Sequence, residues 1–161
     1  MPPITALLHT SNDALRLGRV LETLLPCAEL LIVDHDSTDA TRRVARGYGA
    51  RVLPANGQAT VEDYLEHASS DWILCLDPSE SITERLQATL FEWNSLAAES
   101  TASSSAFCFS VREQLDHGWQ DLPEPETRLI PRNWGLWNGL LPAYDRASIP
   151  LEGSLLRIAF P

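Results

Sequence analysis

The stretch DWILCLDPSE, residues 71–80, runs an apolar segment into a carboxylate, Asp77, followed by a proline, Ser79 and Glu80. Two carboxylates one residue apart at a strand end form an arrangement that holds a divalent cation and, through it, a diphosphate. Mg and Mn take hard oxygen ligands and neutralise a leaving diphosphate. Here a serine fills the second place, and a hydroxyl brings no charge. The stretch reads as a metal site, the remnant of one, or a loop.

Two further polar clusters follow apolar runs: His9-Thr10-Ser11-Asn12 and Asp34-His35-Asp36. Ligands of open α/β sheets sit outside the carboxyl ends of parallel strands, so three such clusters together mark a candidate site. Strand ends also need turns and caps, which is the plain alternative. His9 and His35 can approach each other across neighbouring strand ends, but a zinc pair there lacks obvious further ligands. Neither a GxGxxG after a strand nor a GxxxxGK[ST] occurs.

The elements that must position these clusters come from the apolar pattern. Strands are expected at Ile4–His9, Glu29–Val33, Ala50–Leu53 and Trp72–Leu76. Helices are expected at Ala14–Leu25, from Ser37 or Thr38 to about Tyr48, at Thr60–Ala68 and at Ser81–Trp93. This alternation predicts a three-layer α/β/α arrangement around a mostly parallel sheet. Beyond Trp93 the pattern weakens. Ala97–Ser105 reads as an exposed loop, DLPEPE as a surface excursion, and Ala106–Val111, Thr127–Ile130 and Leu155–Phe160 as strands. Residues 4–93 form the better patterned half and 106–161 a reduced second half of one 1–161 domain.

Composition bounds the partners. The 161 residues carry a formal charge of -10, and all twelve basic residues are arginine. With no basic stripe, neither a nucleic-acid backbone nor an anionic membrane surface is an expected partner. A small anionic ligand held by local arginines stays open. Cys27, Cys75 and Cys108 are spaced as buried thiols, not as a disulfide or zinc framework. No long apolar run predicts a transmembrane helix, so the expected location is cytoplasmic, with docking at an inner membrane face left open. Arg42 and Arg46 share a helix face that reads as solvated. Trp134 and Trp137 either stack on a sugar or pack on the sheet.

ITALLHTSNDALRLGRVLETLLPCAELLIVDHDSTDATRRVARGYGARVL resembles the start of family 2 glycosyltransferases, most of all the bacterial cell-surface and lipopolysaccharide-core branch. The marks are a strand leading to Thr10-x-Asn12, then Val33-Asp34-x-x-Ser37-Thr38-Asp39-x-Thr41, then Ala45-x-x-Tyr48-Gly49-Ala50. DWILCLDPSE stands where that branch has a strand ending in Leu-Asp-Ala-Asp-Glu. The resemblance implies an A-type nucleotide-sugar fold, a nucleoside diphosphate sugar as substrate and Mg or Mn as cofactor. By position, Thr10, Asn12, Asp34 and Asp36 would lie by the nucleotide. Asp77 would be the first metal carboxylate, with Glu80 compensating for Ser79.

Departures accompany the resemblance. Gln58–Val61 lacks a basic residue for the diphosphate. TRLIPRNWGLWNGLLPAYD echoes a branch segment ending in Trp-x-Gly-x-Val-His-Glu, but Pro142 and Ala143 take the places of the His and the Glu. That Glu would be the general base for the acceptor hydroxyl. Asp145, two residues on, is the nearby substitute, and Arg157 falls near a later His. The resemblance therefore implies sugar transfer to a surface-glycan acceptor, with Asp145 as catalytic base. The rival readings are an inactive relative that binds a nucleotide or a partner protein, and a structural homo-oligomer without a ligand.

Overall fold

A computed structural model describes residues 3–96 and 105–159. The first half builds β1 (Ile4–Thr10), α1 (Ala14–Glu22), β2 (Glu29–Asp34), α2 (Thr41–Gly47), β3 (Arg51–Pro54), α3 (Val61–Leu65) and β4 (Trp72–Leu76). Then come β5 (Glu80–Ile82), α4 (Glu84–Leu96), β6 (Phe107–Leu115), β7 (Gly118–Asp121), β8 (Glu126–Pro131), β9 (Trp137–Asn138), β10 (Leu141–Pro142) and β11 (Ile149–Arg157). The sheet order is β3-β2-β1-β4-β8-β6-β11-β5, with β7 on β6 and a separate β9–β10 pair. β1 to β4 are parallel, β8 opposes both β4 and β6, and β11 runs parallel to β6. The sheet is thus mixed: its β1 to β4 half is parallel as expected, while antiparallel pairs dominate the second half.

Alternation along each strand divides the core between two faces. Ile4, Ala6 and Leu8 of β1 join Leu17 and Val20 of α1, Ala45 of α2, and Leu86, Leu90 and Trp93 of α4. On the other face Leu7, Leu31 and Val33 meet Tyr64 and Leu65 of α3, with Trp134, Trp137 and Leu141 packed beside them. Trp72 turns to the first face, where its ring meets Trp93 and Phe107. α4 lies tightly on β11. A Cβ on Gly153, whose φ is +107, would sit 2.5 Å from the Leu86 backbone, so only glycine fits.

Several expected boundaries move. α1 stops at Glu22, and Leu25 is exposed at 72%. Ser37 and Thr38 do not start α2. The helix begins at Thr41, whose amide donates to Asp39 Oδ1 at 2.9 Å, while Asp39 Oδ2 accepts from the first amide of α1, Ala14, at 3.2 Å. Asp39 thus sits at the positive ends of both helices. Residues 81–82 belong to a short strand, not to the following helix, because β5 pairs antiparallel with β11. β11 starts earlier than expected, at Ile149, and bends between Pro150 and Ser154. β7 and β9 to β11 carry Pro, Gly and exposed polar residues that blur a period-two pattern. The loop expected at residues 97–105 lies, apart from Ser105, outside the described residues.

Candidate functional site

The carboxyl ends of β1 and β2 are knit into one loop assembly. Asp34, 2% exposed, accepts from Thr10 Oγ1 at 2.8 Å, from Ser37 Oγ at 2.6 Å and from the Ser37 amide at 3.1 Å. Arg42 Nη1 stands 3.5 Å from its Oδ2. Burial pushes the Asp34 carboxyl up, but the bonds from Ser37 and Thr10 outweigh it, and the net shift is down. Asp34 is an anion held by protein donors.

Asn12 takes a left-handed φ of +54. That shape lets its amide donate to Ser37 Oγ at 2.9 Å while its Oδ1 accepts from the Thr38 amide at 2.8 Å. Asp36 also has φ +54 and is exposed. Of the four residues expected by a nucleotide, Thr10, Asn12 and Asp34 form this scaffold, and Asp36 faces solvent beside it.

On the opposite face of the same two strand ends, His9 Nδ1 and His35 Nε2 share a hydrogen bond at 2.9 Å. The Tyr64 ring meets His9 edge-on at 5.6 Å. Burial, and then the neighbouring His35, lower the His9 pKa to about 4. The approach expected from sequence is therefore present.

The loop after β4 is closed on itself. Ser79 Oγ donates to Asp77 Oδ1 at 2.6 Å, and the Ser79 amide donates to the same oxygen at 2.9 Å. Glu80, expected to help hold a cation, does something else. It is fully buried, and its two oxygens take Arg128 Nη1 at 2.6 Å and Nη2 at 2.8 Å. Glu80 Oε2 also accepts from Arg157 at 3.1 Å, and Oε1 from the Asp77 amide at 2.8 Å. Glu126 closes the cluster by accepting from Arg128 at 3.1 Å and Arg157 at 2.5 Å. Desolvation works against the buried Arg128 charge, but Glu80 more than restores it, so the Arg128 pKa is raised.

These donors give Mg or Mn little protein ligation. Such an ion is held through one or two carboxylates and completes its shell with water and phosphate. Here Ser79 takes one Asp77 oxygen, arginines take both Glu80 oxygens, and only the second Asp77 oxygen is left. Among the described residues, no three His, Cys, Asp or Glu side chains come together to hold a metal ion. Asp145 does not join Asp77 and Glu80. Its Oδ1 accepts from the Ala147 amide at 2.9 Å, and its own amide donates to Thr127 Oγ1 at 2.9 Å, so it shapes a turn. Trp134 and Trp137 are tied to their own loop, with Trp137 Nε1 donating to the Trp134 carbonyl at 3.1 Å and Trp134 Nε1 to that of Leu136 at 2.8 Å.

Sequence reasoning missed Glu126 and the pairing of Arg128 with Glu80. Arg128 stands in the sequence only as one residue of TRLIPRNWG, and nothing local to it points 48 residues back to Glu80.

Comparison with known proteins agrees with this architecture. No family model matches the chain. An uncharacterised glycosyltransferase of Rickettsia felis is 33% identical over 91 residues, 54% of this chain and 32% of that protein. The lipopolysaccharide core biosynthesis glycosyltransferase LpsC of Rhizobium meliloti is 32% identical over 98 residues, 56% of this chain and 36% of its own. Over about half its length the chain is thus similar to bacterial glycosyltransferases. It spans about a third of the length of these curated relatives. Among solved structures, S. aureus TarS aligns over 81% of this chain and 28% of its own, with a TM-score of 0.57 at 14% identity. That likeness speaks to the fold, an A-type nucleotide-sugar transferase fold. No helix among the described residues is long and apolar enough to cross a membrane.

Proposed function

We propose that this glycosyltransferase-like chain binds a nucleoside diphosphate sugar at the carboxyl ends of β1 and β2 without a resident divalent cation, and does not itself carry out transfer. The observation that carries this reading is the closed loop after β4. Ser79 occupies Asp77, and two arginines seal Glu80. With no second carboxylate beside it, the loop offers a metal only the remaining Asp77 oxygen. Thr10, Asn12 and Asp34 fix the shape of the nucleotide loop, and Asp36 is the carboxylate free to meet a ribose hydroxyl.

A second reading, sugar transfer to a surface-glycan acceptor, is favoured by the likeness to LpsC. In that reading Asp145 takes the acceptor proton. Its carboxylate is half-buried and already accepts a backbone bond, which leaves one oxygen for the task.

Calorimetric titration of UDP and GDP, with and without manganese, separates the two. Equal affinity in both conditions supports the proposal. Binding that requires manganese overturns it, as does release of sugar from a labelled donor that is lost in Asp145→Asn.

A further inference from the structure

A cleft lies away from the candidate nucleotide end. It opens where β4 begins and β8 ends, the amino-terminal edge of the parallel strands, opposite to Asp34 and Asp77. It encloses about 660 Å³, with Leu65 and Pro131 as an apolar floor and Trp134 as an aromatic wall. Such a volume lies in the usual range of small-molecule sites, about 300–1,000 Å³. Trp72 also borders it, but that indole packs on the other face against Trp93 and Phe107, which leaves Trp134 as the ring that faces a ligand.

The polar groups around it are of both kinds. Glu62, Glu66 and Asp71 supply acceptors, while Arg132 and Asn133 supply donors. Arg132 is fixed in place because its Nε and Nη2 donate to the Ser70 carbonyl at 3.1 and 2.6 Å. Asn133 is exposed, and Asp71 is 94% exposed.

These groups discriminate between ligand classes. Three carboxylates repel a phosphate. An organic cation would use the carboxylates but meet the Arg132 charge and have no use for Asn133. Sugar hydroxyls donate and accept at once, and neighbouring hydroxyls match the paired atoms of carboxylate, guanidinium and carboxamide. The C–H face of a sugar ring is apolar and suits an indole wall.

We propose that this cleft is a binding site for a short neutral glycan, with Trp134 as the ring platform and Asp71, Arg132 and Asn133 as hydroxyl partners. The site lies apart from the nucleotide end and does not depend on the nucleotide reading. It would hold a glycan chain to the protein, not present it for reaction.

The test is a titration of the isotope-labelled chain with maltotriose and, separately, the N-acetylglucosamine trimer, followed by amide chemical shifts. Spermidine and UDP serve as cationic and nucleotide probes. The expected result is shifts confined to residues 62–72 and 131–134 with at least one trisaccharide, saturating at millimolar concentration. Trp134→Ala should weaken binding about tenfold, equivalent to about 1.4 kcal/mol. Should that variant unfold, Asn133→Ala carries the test, with several-fold weaker binding and an unchanged melting temperature. No shifts with either trisaccharide, shifts centred on the Asp34 and Asp77 loops, or a cleft that answers spermidine and not sugar would each overturn the proposal. Failure here with UDP still bound elsewhere would leave the nucleotide reading standing, and the reverse outcome would leave this one.

Discussion

Ser79 donates twice to one oxygen of Asp77, from its hydroxyl at 2.6 Å and from its amide at 2.9 Å. The residue that stands in the place of a second carboxylate therefore occupies one oxygen of the first and adds no charge of its own. Replacing it tests this directly. Ser79→Asp should create a carboxylate pair that opens toward solvent and recruits a cation. Manganese should then raise the melting temperature of the variant and leave the parent unchanged. An equal response in both proteins would show that the serine does not close the site.

The Glu80–Arg128 pair is buried on both sides, with side-chain exposures of 0% and 1%. Removing Arg128 leaves the buried Glu80 with Arg157, at 3.1 Å, as its remaining cation, so the loss stays below the about 3–5 kcal/mol of a fully stranded charge. Arg128→Met should therefore destabilise in urea unfolding, by about 3 kcal/mol or less. Glu80→Leu combined with Arg128→Met should lose less than Arg128→Met alone, because Glu126 and Arg157 still pair with each other. A double variant that loses the sum of the two single effects would rule out coupling.

His9 gives the chain a pH dependence of known sign. Its folded pKa is lowered to about 4 from an ordinary 6.5. Between those values the unfolded chain binds the proton and the folded chain does not. The stability tied to His9 is complete above about pH 6.5 and drains away as pH falls toward 4, at no more than about 1.4 kcal/mol per pH unit. Asp34, whose carboxyl is shifted down, adds its own loss at more acidic pH. His9→Phe should flatten the upper part of the curve. Urea midpoints measured from pH 7 to 4.5 would count against this account if parent and variant ran parallel.

Gly153 tests the contact between α4 and β11. Its positive φ and the 2.5 Å approach to Leu86 leave no room for a methyl group. Gly153→Ala should cost more than about 3 kcal/mol, since overpacking and backbone strain add. Gly57, which has open space around it, serves as the control, and Gly57→Ala should be near neutral. Similar losses in both variants would mean that α4 can move away.

Asp34 ties the ends of β1 and β2 together by accepting from Thr10 and Ser37. Asp34→Ala should release Thr10 and Ser37, cost about 2 kcal/mol or more, and abolish nucleotide heat in calorimetry. Retention of full nucleotide affinity would separate the loop from binding.

The first half of the chain was legible because its information is local. ITALLH, LLIV and WILCL are short, largely apolar runs, and a strand buried on both faces has to look like that whatever surrounds it. Leu17, Val20 and Leu21 repeat at helical spacing and are buried in α1. The order of strand and helix then left few arrangements for a parallel sheet. Sequence alone also placed Thr10, Asn12 and Asp34 at strand ends, and Ser79 beside Asp77.

Tertiary structure decided what those side chains do. Glu80 looked like a ligand because it lies three residues from Asp77. It became a buried ion-pair partner because β8 and β11 bring Arg128 and Arg157 to it from 48 and 77 residues away. A carboxylate takes its role from the nearest compensating charge, and no local pattern reports a charge that distant in sequence. The same holds for β5, a strand of three residues that exists through its pairing with β11. Chain-local physics set the layers and the loops, and the packing of distant strands chose between holding a cation and replacing it.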